Sequence, residues 1–221
     1  AFLSFGLISH VQRKGEAKMS SVPIGIEEGG GSSFLWLAPF APSKGWTSVP
    51  RGGMCLCAFL FVMRGGEILL GRYADHPAWE QLCGMENKRV KANARGWTIP
   101  ASHLKFGEDP RDTARRIGEE ILTLDKGLAY SEPYVKTFFY EPAIAPGEKH
   151  FDVLFLFEVS VKAGVKVRTP PWYDALEWFD IGTVQREQFA RQHEDVAETW
   201  LKNRAEFFDR PQSRARSVYT R

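Results

Sequence analysis

The stretch Trp97-Thr98-Ile99-Pro100-Ala101-Ser102-His103-Leu104-Lys105-Phe106-Gly107-Glu108-Asp109-Pro110 decides the fold, together with the residues that follow it, Arg111 to Leu122. Residues 97–100 predict a short strand, stopped by a proline that has no N–H to give a ladder. Asp109-Pro110 then opens a helix. Aspartate suits the N-cap, where its carboxylate accepts from unpaired amides, and proline's fixed φ suits the first helical position. That helix is predicted over 110–122, through Arg115, Arg116 and Glu120.

Upstream, 54–63 is a continuous apolar run and 67–73 follows Arg64-Gly65-Gly66, so the two form a hairpin. Residues 74–96 read as irregular and polar, with a basic cluster at Lys88, Arg89, Lys91 and Arg95. Downstream, 133–141 and 150–161 are apolar and aromatic strands joined by a loop over 142–147, and 176–179 is a last short strand. From Thr183 the apolar residues Phe189, Val196, Trp200 and Phe207 recur at helical spacing, which predicts a long terminal helix. Residues 213–221 form a basic tail. Ahead of the hairpin, Gly29-Gly30-Gly31 and prolines 39, 42 and 50 break up regular structure. Phe34, Trp36, Phe40 and Trp46 give this segment something to pack with. The expected organisation is an arm over 1–50, one α/β domain over 51–182, and a helix with a basic tail over 183–221.

Composition sets bounds on function. Of 221 residues, 43% are hydrophobic and 25% charged, ordinary for a globular protein with a real core. The formal net charge of +2 creates no global field to recruit nucleic acid or an anionic membrane, so anion binding must come from local clusters. A nucleic-acid module using the basic loop and tail is accordingly the weakest reading. The apolar run at 1–9 is too short to span a bilayer and lacks a preceding basic segment, so it makes a poor secretory signal. Residues 1–18 are expected to be an upstream addition, with Met19 as an ordinary start. The three cysteines cannot all pair. Cys55 and Cys57 lie two apart on a strand, on one face, and read as small core residues rather than a disulfide or half a metal site. A reduced, cytoplasmic setting follows as the expectation.

The order strand, proline, loop ending in Gly107-Glu108, and helix carrying Arg116 resembles the Nudix box. In that family Pro-Gly-Gly leads through a Gly-Glu loop to a helix bearing Arg-Glu-U-x-Glu-Glu-x-Gly-U, with U aliphatic. Arg116 falls eight residues after Glu108, the family interval, and the flanking strands match over 51–180. The resemblance implies a Nudix α/β/α sandwich with a mixed sheet. It also implies hydrolysis of a diphosphate linkage in a nucleoside diphosphate derivative, with Mg2+ or Mn2+ offsetting phosphate charge and activating water. Such ions take oxygen ligands, one or two of them carboxylates. By this resemblance Glu108, Arg116 and Glu120 form the catalytic set, Arg116 bracing the loop through Glu108. Glu120, Glu119 and the backbone carbonyl of Ala101 are the metal candidates.

The box departs from the family at several positions. Pro-Gly-Gly becomes Pro100-Ala101-Ser102, and the glutamate after the arginine becomes Ile117. The glutamate pair becomes Glu120-Ile121, and the closing glycine becomes Thr123. A register with one residue deleted keeps Glu119-Glu120 as the pair and uses Arg115; the ungapped register is preferred because the aliphatic positions align. Two functions therefore stand: a metal-dependent hydrolase, and a catalytically lapsed Nudix-fold ligand-binding or structural subunit. Trp79, Arg89 and His103 are substrate-binding candidates. Each has a plainer reading: Trp79 as packing, Arg89 in a solvated loop, His103 as an exposed loop histidine. Glu141, Glu148 and Asp174 are candidates to complete a metal site, and His193 reads as a buried, hydrogen-bonded histidine. The implied partner is a nucleotide-diphosphate small molecule, with no membrane; a homodimer is left open.

Overall fold

A computed structural model of the chain describes residues 54–83, 85, 87–105, 107–140, 150–190 and 193–207. The expected arm, the residues around Glu141 and Glu148, and the basic tail lie outside them. The apolar run Met54–Arg64 is strand β1, and Glu67–Tyr73 is β2, paired antiparallel through Met63↔Ile68 and Arg64↔Glu67. Gly65 turns the hairpin at φ 63°, a left-handed conformation that glycine adopts without a Cβ clash.

β1 pairs parallel with β5 (His150–Ser160), from Met54↔Phe151 to Met63↔Ser160. β4 (Tyr134–Tyr140) lies antiparallel beyond β5, and β6 (Tyr173–Asp180) antiparallel beyond β2. The sheet order is β4-β5-β1-β2-β6. The short β3 (Ala101–His103) joins β1 at Cys57–Phe59, so two strands share one edge of β1. Both faces of β1 are covered, which is why its sequence is apolar throughout rather than alternating. Ala58, Leu60 and Val62 meet Ala114, Ile117 and Ile121 of the box helix on one face. Phe59, Phe61 and Met63 meet Val196 and Trp200 of helix α4 (His193–Phe207) on the other, with Phe61 and Trp200 stacked at 4.3 Å. The result is an α/β/α sandwich around a mixed sheet. Among the described residues, no helix is long and apolar enough to cross a membrane.

Four local expectations are corrected. The span 74–96 is not irregular: Ala78–Cys83 and Asn87–Asn93 form helices α1 and α2, which bury Trp79, Cys83 and Val90 in the first core. The strand expected at 97–100 sits further on, at β3. Trp97 and Thr98 make only single bridges, to Phe189 and Gly71. Pro100 is still tolerated beside β1, because the contact there uses its carbonyl, which accepts from Leu60 N at 2.9 Å. The terminal helix starts at His193, not near Thr183. Residues 183–190 instead hold a 3-10 turn at Arg186–Gln188 and lead Phe189 to Trp97. Finally, β6 is longer than the predicted 176–179, because pairing with β2 carries it back to Tyr173.

The box helix is α3, Pro110–Arg116, with the Asp109 carboxylate accepting from Arg111 N at 2.8 Å as its N-cap. It does not continue as an α-helix to Leu122. Ile117–Ile121 form a π-helical turn, closed by Leu122 N donating to Ile117 O at 2.9 Å. The wider turn leaves the Ile121 carbonyl to accept from Trp172 Nε1 at 2.8 Å. π-Turns inside helices are rare and frequent at functional sites.

Candidate functional site

Gly107, at φ 77°, turns the loop after β3 so that Glu108 faces the helix. Arg116 lies 7% exposed and donates from Nε and Nη2 to the two Glu108 oxygens, at 2.7 and 2.8 Å. Its remaining bonds go to Leu82 O at 2.9 Å, Ser102 Oγ at 3.1 Å and His103 O at 3.0 Å. A guanidinium has five N–H groups, and these five bonds employ all of them. Glu108 also accepts from Lys105 N at 2.8 Å. Burial pushes the Glu108 carboxyl up, but hydrogen bonds from Arg116, Lys105 N and Thr113, with the charge of Arg116, hold it below the usual carboxylate range. Paired and fully bonded in this way, a buried charge is tolerated that would otherwise be costly. Arg115 points outward and pairs with Asp112 at 2.6 Å. The loop therefore closes onto the helix in the ungapped register.

The metal-bearing half of the box looks different. Ile117 and Ile121, at two positions where the family carries carboxylates, are 0% exposed and packed under β1. Glu120 is exposed and Glu119 half-buried. Ala101 O already accepts a weak bond from Cys83 Sγ at 3.6 Å. Among the described residues, no three carboxylates converge near Glu120. The side-chain donors that do converge are Cys55, Cys57 and His103. Asp174 lies exposed on β6.

Trp79 is placed against its substrate-binding expectation. It is 1% exposed, edge-on to Tyr73 at 4.5 Å and Tyr173 at 4.9 Å, with Nε1 donating to Ala74 O at 3.2 Å. No ring face is left for a base, so packing is its role. Arg89 belongs to α2, and its side chain lies outside the described residues; Lys91 in the same helix pairs with Asp75 at 3.2 Å. His103 is not in an exposed loop but half-buried in β3, with Nδ1 3.1 Å from Cys83 O. His193 is buried and accepts from Ile99 N through Nδ1 at 2.8 Å, a core histidine with its polar atom satisfied.

Three features went unread in the sequence. Thr123 stands at φ 54°, the left-handed conformation, where the family pattern has glycine; that substitution was the available signal. Gly118 sits so close to Tyr130 that a Cβ would lie 2.2 Å from the phenol oxygen. The thiols of Cys55 and Cys57 lie 3.1 Å apart, beside His103. Cys57 is drawn down to about 5, first by its hydrogen bond with Cys55 and then by the charge and hydrogen bonding of His103, against burial and Asp152.

No family model matches the sequence, and no curated protein matches it. Solved structures do. The dihydroneopterin triphosphate pyrophosphohydrolase of E. coli is similar over 71% of this chain and 99% of its own, at 14% identity and a TM-score of 0.49. An Ap4A hydrolase of C. elegans is similar over 69% of this chain and 99% of its own, at 19% identity and a TM-score of 0.45. The NUDIX domain of Shewanella oneidensis NrtR, complexed with ADP ribose, covers 68% of this chain and 88% of its own, at 11% identity and a TM-score of 0.47. The mixed sheet, the helical layer on each of its faces and the braced loop-helix unit are the features that the resemblance to the Nudix family implies.

Proposed function

We propose that this chain is a Nudix-type hydrolase that cleaves a diphosphate linkage in a nucleoside diphosphate derivative, in a cytoplasmic setting. The observation that carries the reading is the brace. A buried arginine with every donor engaged holds Glu108 and the His103 carbonyl beside the helical segment that bears Glu119 and Glu120. Preorganised backbone and charged groups are what a phosphoryl site needs, since they cost no rearrangement when charge develops.

Two adjacent carboxylates suit a divalent ion completed by substrate phosphates, not one held ready beforehand. Glu120, Glu119 and the Ala101 carbonyl are the groups that would hold Mg2+ or Mn2+, and the ion would supply charge offset and activation of water. Glu108 is not free for this, because both its oxygens are engaged by Arg116. Its work is to position the loop, while the Glu120 charge serves the ion. Arg89 is a candidate contact for the substrate's phosphates.

A second reading, the lapsed ligand-binding or structural subunit, is favoured by the full burial of Ile117 and Ile121. One assay separates the two. Nucleoside diphosphate sugars, dinucleotides and triphosphates are incubated with the protein and Mg2+ or Mn2+, and phosphate or nucleoside monophosphate release is measured. The hydrolase reading expects turnover on at least one of them and its loss in Glu120→Gln, which keeps size and removes charge. Turnover no higher than that of Glu120→Gln on every substrate, from folded protein, selects the lapsed reading.

A further inference from the structure

We propose that Cys55, Cys57 and His103 form a zinc-binding site on the face of the sheet opposite the box helix, independent of the hydrolase reading. One sulfur from each cysteine and one ring nitrogen lie within 4.8 Å of one another. The arrangement follows from strand geometry. Residues two apart on β1 point to one face, and His103 is directly opposite Cys57 in the β1–β3 register. That is the face of Phe59 and Phe61, whereas Ser102, the neighbour of His103, turns to the other face and meets Arg116.

The donor set is soft: two sulfurs and an imidazole suit zinc, and do not suit magnesium or calcium. None of the three cysteines is in a disulfide, so both sulfurs can ligate. The orientation of His103 adds an independent indication. Its Nδ1 lies 3.1 Å from the Cys83 carbonyl oxygen, which has no hydrogen to give. Nδ1 therefore donates there, the arrangement in which an outer partner fixes a ligating histidine. Asp152 lies opposite Cys55 in the β1–β5 register, and its charge reaches Cys57. Three protein donors fill three corners of a tetrahedron and leave the fourth to water or an outside ligand. Both cysteines bind as thiolates, so zinc uptake releases to solvent whatever protons the site still holds.

The test uses the reduced, chelator-stripped full chain. Zn2+ is titrated against a competing chelator, and Co2+ is added separately as a spectroscopic probe. The expected result is one ion per chain and a sulfur-to-cobalt charge-transfer band. Cys57→Ser and His103→Gln should each weaken zinc binding by at least the roughly 10–100-fold that loss of an outer partner costs. A band missing from the wild type, with zinc affinity equal to that of the Cys55→Ser/Cys57→Ser variant, overturns the proposal. Should the variants fail to fold, alkylation of the wild type decides: Zn2+ must slow modification of Cys55 and Cys57, and unchanged rates reject the site.

Discussion

The front and back halves of the box helix solve opposite problems. In the front half, a charged side chain is buried and every polar group around it is given a partner. Arg116 reaches Glu108, Leu82, Ser102 and His103, and Asp109 caps the first turn. In the back half, positions that carry charge in the family pattern carry isoleucine, buried in the sheet, and the backbone widens into a π turn. The comparison separates two duties of the motif. Closing the loop onto the helix requires the arginine and the loop glutamate. Building the sandwich does not require the carboxylates, since isoleucine at those positions serves the core better.

The largest expected effect comes from breaking the front half. Arg116→Ala leaves the half-buried Glu108 without its cation and strips Leu82 O and His103 O of a donor, so chemical denaturation should show a loss of about 3–5 kcal/mol. Arg115→Ala, removing an exposed partner of Asp112, should cost about 0–1 kcal/mol. Equal losses for the two would erase the contrast. The brace also has a pH signature. Because the folded Glu108 pKa is depressed below the ordinary 4.5, its contribution is complete above 4.5 and is lost as pH falls through the folded value. Stability curves below pH 4.5 should flatten in Arg116→Ala relative to wild type.

The back half is probed by sterics. Gly118→Ala drives a methyl into Tyr130 and should destabilise by about 1–3 kcal/mol, although alanine is the better helix former. The same change should be relieved when combined with Tyr130→Phe, which removes the phenol oxygen nearest the new methyl. The smallest effect has the opposite sign. Thr123→Gly frees a β-branched residue from φ 54° and should raise the melting midpoint, by an amount matching about 1 kcal/mol. A lower midpoint would mean that the threonine side chain is needed where it stands.

Short-range chemistry was legible in the residues. Arg64-Gly65-Gly66 announced the hairpin, Asp109-Pro110 announced the helix start, and the interval from Glu108 to Arg116 announced a pair that the structure forms. What escaped reading depends on partners distant in the chain. The π turn needs Trp172 to satisfy Ile121 O, and β3 shifts because the edge of β1 is shared with β2. Trp79 looked available for stacking until Tyr73 and Tyr173 closed on both sides. That His103 lies beside Cys55 and Cys57 depends on the pairing of β3 with β1, which spacing along the chain does not show. The candidate site was legible as a motif with substitutions. Why those substitutions are tolerated became plain only from what Ile117 and Ile121 touch.

The parallel pairing of β1 with β5 also has a consequence for how the chain is made. Met54 finds Phe151 only after the whole box has been synthesised. At about 5–20 residues per second, that interval lasts about 5–20 s on the ribosome. Throughout it, the most apolar strand of the protein has one long edge unpaired, while the hairpin and box helix beside it can already form. Such an edge is a template for other nascent chains. The yield of this protein should therefore depend on translation speed and chaperone supply between Arg64 and Ser160 more than on the strength of its finished core.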